Sequence, residues 1–213
     1  LLSLDTEEQK SQYLKSLVKL TYLKDIVERN NVMNEDALES LMSILASSVG
    51  SLVSSRKIFN SYISSGNNQI SLNTILSYLS YLENAFLIEN VERYDVKGRK
   101  YIKALSKYYF ADLGLRNTII NFRQQEENHL MENIIYLELV RRGYNVDIGV
   151  VEIRERDVRK QLEVDFVCNQ FNKRYYIQSA LHIDEKEKFN NSKHTSIHGI
   201  SKSKNSIRKN CRN

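Results

Sequence analysis

Apolar residues recur at helical spacing through the first 84 positions and then, from Phe86, alternate one in and one out. That change of period, from 3.6 to 2, predicts helices first and a hairpin after them, because each period buries a face that the other backbone geometry would scatter. From Glu7 to Asn30 the apolar set is Tyr13, Leu14, Leu17, Val18, Leu20, Ile26 and Val27, ending at Asn30 and Asn31. Asn34 is placed to cap a second helix with Leu38, Leu41, Met42 and Leu45 on one face and Gly50 as its left-handed stop. Ser54–Ser65 repeats the pattern with Ile58, Phe59, Tyr62 and Ile63, broken by Gly66, Asn67 and Asn68. Ser71 then caps a helix whose expected buried face is Ile75, Leu76, Leu79 and Leu82.

The alternating run Phe86–Tyr94 reads as a strand, returned by the turn Asp95-Val96-Lys97-Gly98. Three short helices and a hairpin form the winged-helix version of helix-turn-helix, whose third helix enters a major groove and whose hairpin meets phosphates. Here the third helix, Ser71–Asn84, carries no Lys or Arg, and Glu83 adds a negative charge, so base reading is expected to be weak. The wing is richer, with Arg93, Lys97, Arg99, Lys100 and Lys103 as candidate phosphate contacts to DNA. Lysines on a hairpin edge also serve simply to prevent edge-to-edge pairing.

After the wing, "KYYFADLGLRN" predicts a short aromatic strand and a turn at Asp112 and Gly114. A long helix is expected over Glu126–Arg142, stopped by Gly143, with Leu130, Ile134, Leu137 and Val140 as its apolar stripe. Strands follow at Tyr144–Glu152, Leu162–Cys168 and Tyr175–Leu181. This order sets Glu132 on the helix, Asp165 on one strand and Gln178 on the next, the constellation of a PD-(D/E)XK nuclease. Such an enzyme holds Mg²⁺ between acids of two neighbouring strands and uses a lysine two residues after the second acid to orient or activate water. In this chain Gln178 stands at the second acid and Ala180 at the lysine. An amide brings no charge to a divalent ion and alanine donates nothing, so the site is expected to be degenerate. No catalytic residue is assigned, and only Glu132 and Asp165 remain as metal ligands at most.

Charge, cysteines and motifs exclude several other classes. The net charge is +5, yet residues 189–213 alone hold Lys193, Lys202, Lys204, Arg208, Lys209 and Arg212 with no acid. Those six cations leave residues 1–188 at −1, so the body is nearly neutral and the tail is expected to be a basic, disordered segment. Cys168 and Cys211 form no CxxC pair, which removes a disulfide framework and a cysteine zinc site. His129, His182, His194 and His198 lack ligand spacing, and the chain has neither GxxxxGK[ST] nor GxSxG. No run approaches the roughly 18 apolar residues of a membrane span, and no signal peptide is visible, so the cytoplasm is the expected compartment. Leu1 is not an initiator methionine, and composition changes abruptly after Lys188. A start inside a longer protein and a frameshifted or truncated end are expected. Asp25 and Arg29, four apart on the first helix, are expected to form an exposed ion pair.

Several phrases carry a resemblance: "YLKDIVERN", "LASSVGSLVSSRKIFN", "ILSYLSYLENAFLIENVERYDVKGRKYI", "KYYFADLGLRN", "MENIIYLELVRRGYNVDIG", and "EVDFV" with "YYIQSA". Over residues 8–188 the chain resembles prokaryotic AAA-type ATPases whose C-terminal half is the domain of unknown function 4143. The resemblance implies an α+β chain, with a linker helix at 1–34 following an ATPase domain, a winged helix at 35–106, a small restriction-endonuclease-like α/β domain at 107–188, and the tail at 189–213. It implies that Glu132 and Asp165 match the family's acidic positions, that ATP and Mg belong to the ATPase domain rather than this chain, and that Arg29 lies near nucleotide. The expected function is a non-catalytic binding and regulatory region partnered with that ATPase domain. The alternatives are a metal-dependent DNA nuclease and a winged-helix DNA-binding regulator.

Overall fold

The computed structural model describes residues 3–67, 70–123, 126–155 and 158–180. The fold is mixed α+β around a five-stranded sheet. Helix α1 (Glu7–Ser16) runs through a π-helical segment (Leu17–Leu23) into α2 (Lys24–Asn30), followed by α3 (Glu35–Ser47), α4 (Ser55–Ser64) and α5 (Leu72–Asn84). Side chains that the sequence places at helix starts cap them. Thr6 and Gln9 form a reciprocal capping box, and Asn34, Ser54 and Ser71 accept from Ala37 N, Lys57 N and Thr74 N at 2.9, 3.2 and 3.2 Å. Each such bond satisfies an amide that the helix leaves orphaned, stabilising by about 1 kcal/mol. Leu38, Leu41, Leu45, Ile58, Ile75 and Leu82 bury completely between these helices.

Strands β1 (Ile88–Asp95) and β2 (Lys100–Phe110) form the hairpin. Its Asp95 Oδ1 accepts from Lys97 N and Gly98 N, and the left-handed residue is Arg99 (φ 52°) rather than the glycine. Helices α6 (Leu113–Ile119) and α7 (Glu127–Arg141) lead to β3 (Asn145–Glu155), β4 (Val158–Gln170) and β5 (Lys173–Ile177). The sheet order is β2-β1-β3-β4-β5, antiparallel except for the parallel pair β1/β3, where Arg93 faces Ile148 and Asp95 faces Val150. β2 runs continuously through position 106, and β1 joins the hairpin to β3, so one sheet serves both halves. At the β3/β4 bulge Gly149 is required. A Cβ there would lie 2.8 Å from Val167 Cγ2 and 2.9 Å from Val164 Cβ.

Four expectations need correction. Leu76 is 45% exposed and Tyr78 is buried in its stead, because α5 turns the 75/78/79/82 face to the core. In α7 half of the expected stripe faces out: Ile134 is 55% exposed and Val140 is exposed, Leu130 is half-buried and Leu137 packs partly buried against the core, and the fully buried face is Glu132, Asn133, Tyr136 and Leu139. "KYYF" is the end of β2, and Asp112 is not in a turn but caps α6, accepting from Leu115 N at 2.9 Å. α3 ends at Ser47, so Gly50 (φ 69°) lies beyond it, in the turn that donates Gly50 N to Tyr108 O. Leu181, three of the histidines, Cys211 and the whole 189–213 segment lie outside the described residues. Among the described residues no helix is long and apolar enough to cross a membrane.

Candidate functional site

The polar face of α7 settles on one side of the sheet, and that choice builds the site. Alternation along β2 points Lys107 and Tyr109 to this side, while Glu163 and Asp165 reach it from β4. Lys107 Nζ, almost wholly buried, lies 2.7 Å from Glu132 Oε1 and 2.6 Å from Glu163 Oε1. The Tyr109 hydroxyl donates to the same Glu132 oxygen. Asp165 Oδ2 accepts from both Ser179 N and Ser179 Oγ at 2.6 Å, and Asp165 N donates to Gln178 Oε1 at 3.4 Å. Tyr109 stacks on Tyr136 with centroids 4.5 Å apart, and Phe166 packs beside both.

Electrostatics follow from burial and neighbours. Burial pulls the Lys107 ammonium down, but the Glu132 and Glu163 carboxylates outweigh it and hold its pKa above the ordinary lysine value. Burial raises the Glu132 carboxyl, with Asp165 adding to the rise, while Lys107 and Tyr109 draw it back. Burial and then Glu132 raise the Tyr109 phenol, which therefore stays protonated as a donor.

The structure thus brings together Glu132, Asp165 and Gln178. β5 ends at Ile177, leaving Gln178 and Ala180 just past the strand and exposed. The arrangement does not fit a divalent ion. The Glu132 oxygen is taken by an ammonium and a phenol, one Asp165 oxygen by two donors of Ser179, and an exposed amide stands at the remaining ligand position. Among the described residues no three His, Cys, Asp or Glu form a metal-holding group. Sequence reasoning missed Lys107, Tyr109, Glu163 and Ser179. The period of two in "KYYF" and "EVD" carried the signal for the first three.

The wing cations divide. Lys97, Arg99, Lys100 and Lys103 are exposed, with Lys97 Nζ also donating to Glu152 O at 2.9 Å. Arg93 does not belong with them: it is buried, and its Nη2 donates to Gln161 Oε1 at 3.0 Å, because its strand position faces the α7 side. Glu83, expected to face a phosphate, is only half-exposed; burial raises its carboxyl, and its charge helps push the Tyr108 phenol up to about 12 after burial itself. Arg29 is exposed on α2 and paired with Asp25, as its spacing predicts.

Comparison with known sequences gives a family and distant kin. The family described as a domain of unknown function, DUF8612, matches residues 1–126. An uncharacterized protein of Haemophilus influenzae is 35% identical over 179 residues, 84% of this chain and 42% of that protein. The uncharacterized protein MJ1544 of Methanocaldococcus jannaschii is 30% identical over 185 residues, 87% of this chain and 40% of its own length. The chain therefore spans about two fifths of the curated relatives it matches. No solved structure matches it.

Proposed function

The chain belongs to the DUF8612 family, and we propose that it acts as a non-catalytic binding and regulatory region of a prokaryotic AAA-type ATP-binding protein. In this reading α3–α5 with the β1/β2 hairpin are the winged helix, and α7 with β3–β5 is a nuclease-like fold kept as a scaffold. ATP and Mg are bound by the ATPase domain, the partner of this chain, and Arg29 on α2 is the residue nearest to it.

One observation carries the reading. The acids that would hold a metal are instead paired internally, above all Glu132 with the buried ammonium of Lys107 at 2.7 Å. A carboxylate whose charge is already balanced by an ammonium attracts a cation weakly, and Gln178 supplies no charge in compensation. The length of the relatives supports the rest, since more than half of each lies outside the match and leaves room for an ATPase domain.

The test is cleavage. The full chain incubated with supercoiled plasmid and Mg²⁺ or Mn²⁺ is expected to leave the plasmid intact. Nicking that Asp165→Ala abolishes would overturn the proposal. The H. influenzae relative is expected to carry GxxxxGK[ST] outside the matched segment and to hydrolyse ATP; a relative without that loop removes the parentage.

A further inference from the structure

On the other side of the hairpin, β2 contains a three-residue bulge. Arg93 pairs with Ile102 while the preceding Glu92 pairs with Ser106, so residues 103–105 have no partners on β1. Ser106 is held from outside the sheet by Val53, with two reciprocal backbone bonds of 2.9 Å. The chain entering α4 is thereby fixed against the end of the bulge. Between them lies a cavity of about 290 Å³, lined by Ser54, Ser55 and Arg56 on one wall, Lys103 on the bulge, and Asn90 and Glu92 on β1. Bulges re-aim side chains, and Lys103 on this one lines the cavity together with Arg56, both exposed at its mouth.

We propose that this cavity binds a phosphate of a nucleic-acid backbone. Arg and Lys side chains are donors without acceptors, and hydroxyl and amide groups beside them add further donors, which suits an oxyanion. Glu92 offsets one of the two cations and leaves the lining net positive. The choice of a polymer over a free anion comes from what surrounds the cavity. Lys57 beside Arg56, and Lys97, Arg99 and Lys100 along the hairpin, are exposed cations, and a series of phosphates engages separated cations where a single ion engages one site. The exposed α5 residues Asn73, Ser77, Ser80 and Asn84 carry no charge, and the helix's one acid, Glu83, is only half-exposed. This inference rests on the reading of the chain as a binding region and names the chemistry of its partner.

The experiment is binding of the full chain to a fluorescent duplex of about 24 base pairs, titrated over salt from about 50 to 300 mM. Arg56→Ala with Lys103→Ala is expected to weaken binding about tenfold or more and to flatten the slope of log K against log salt by roughly 1.8, two contacts at about 0.9 each. Lys15→Ala with Lys19→Ala, the same charge change at exposed positions of α1 and the π-helical segment after it, is expected to leave the slope unchanged. Both cavity side chains are exposed, so the melting temperature should hold, and Arg56→Gln with Lys103→Gln gives the same loss if alanine disturbs packing. The proposal is overturned if the wild-type chain does not bind, if the cavity variant binds within twofold of it, or if the control variant loses as much. Inorganic phosphate that stabilises the wild type but not the cavity variant, while duplex binding stays the same in both, assigns the cavity to a free anion and overturns the polymer. Metal-dependent cutting would remove the non-catalytic reading while leaving these binding results intact.

Discussion

Replacing Lys107 with methionine tests the central geometry directly. The lysine side chain is 4% exposed and its ammonium is shared by Glu132 and Glu163, whose side chains are 9% and 33% exposed. Glu163 can turn to water when the ammonium is lost, but Glu132 cannot. The cost is therefore that of one buried carboxylate left without its cation, about 3–5 kcal/mol. The Tyr109 hydroxyl remains as a neutral donor and moderates the loss.

The loss should depend on pH, with a definite sign. The folded Glu132 already has a raised pKa, and removing Lys107 raises it further. A carboxyl raised in the folded state binds more protons there than in the unfolded chain, so stability falls as pH rises from the unfolded value toward the folded one. Lys107 itself, raised by its two carboxylates, contributes fully below the ordinary lysine pKa, and that contribution is lost only as pH rises through its folded value. Urea unfolding of both chains should therefore show the variant's deficit larger at pH 7.5 than at pH 5, since the raised Glu132 carboxyl is the more readily protonated as pH falls. Adding Glu132→Leu should recover much of the deficit, a coupling that a double-mutant cycle reads directly. A deficit below about 1 kcal/mol at pH 7.5, or one identical at both pH values, refutes the reasoning, since only a solvated or uncoupled pair behaves so.

Two further outcomes are expected. Asn133→Ala should destabilise by about 1–3 kcal/mol for each of the two groups it orphans, because its amide bonds both Phe110 N (2.8 Å) and Phe110 O (2.9 Å) on the outer edge of β2; an unchanged urea midpoint would contradict this. Cys168, fully buried and pushed up to about 12 by burial and then by the charge of Asp147, should resist iodoacetamide at pH 8 until the chain is unfolded, and peptide mapping that finds it labelled equally fast in the native state counts against its burial.

Local signals in the sequence were enough for the elements and not for their faces. Asn34, Ser54 and Ser71 act as caps because their short acceptors fit a helix start whatever lies around them. The turn at Asp95 is local for the same reason. The face of α7 is a different matter. Ile134 and Val140 of its expected stripe turn outward because Glu132, Asn133 and Tyr136 each find a specific partner on the sheet, Lys107, Phe110 backbone and Glu89 respectively. Those partners lie 23 to 47 residues away, beyond any window in which periodicity operates. Arg93 misled for a related reason: it reads as one of five wing cations, but the parity of its strand position turns it under the sheet toward Gln161. Glu132 and Asp165 were legible as a pair. The lysine that neutralises one of them was not, because it arrives from β2 rather than from the strand after Asp165.

That origin explains how the cluster is stable as it stands. Glu132 and Glu163 share one cation with Asp165 close by, an excess of negative charge that a buried site does not tolerate unless each carboxylate has donors. Glu132 has the ammonium and a phenol, Glu163 has the ammonium and contact with water, and Asp165 has the amide and hydroxyl of Ser179. Lys107 and Tyr109 reach the same Glu132 oxygen from one face of β2, while Ser179 reaches Asp165 from beyond β5. An acid at position 178 and a lysine at 180 would alter this balance, adding a fourth anion near Asp165 and a further cation past the end of β5. The glutamine and alanine present instead are neutral. The internal pairing by Lys107 and the neutrality at 178 and 180 are thus two parts of one charge arrangement, and a charge introduced at only one of the two positions would unbalance it.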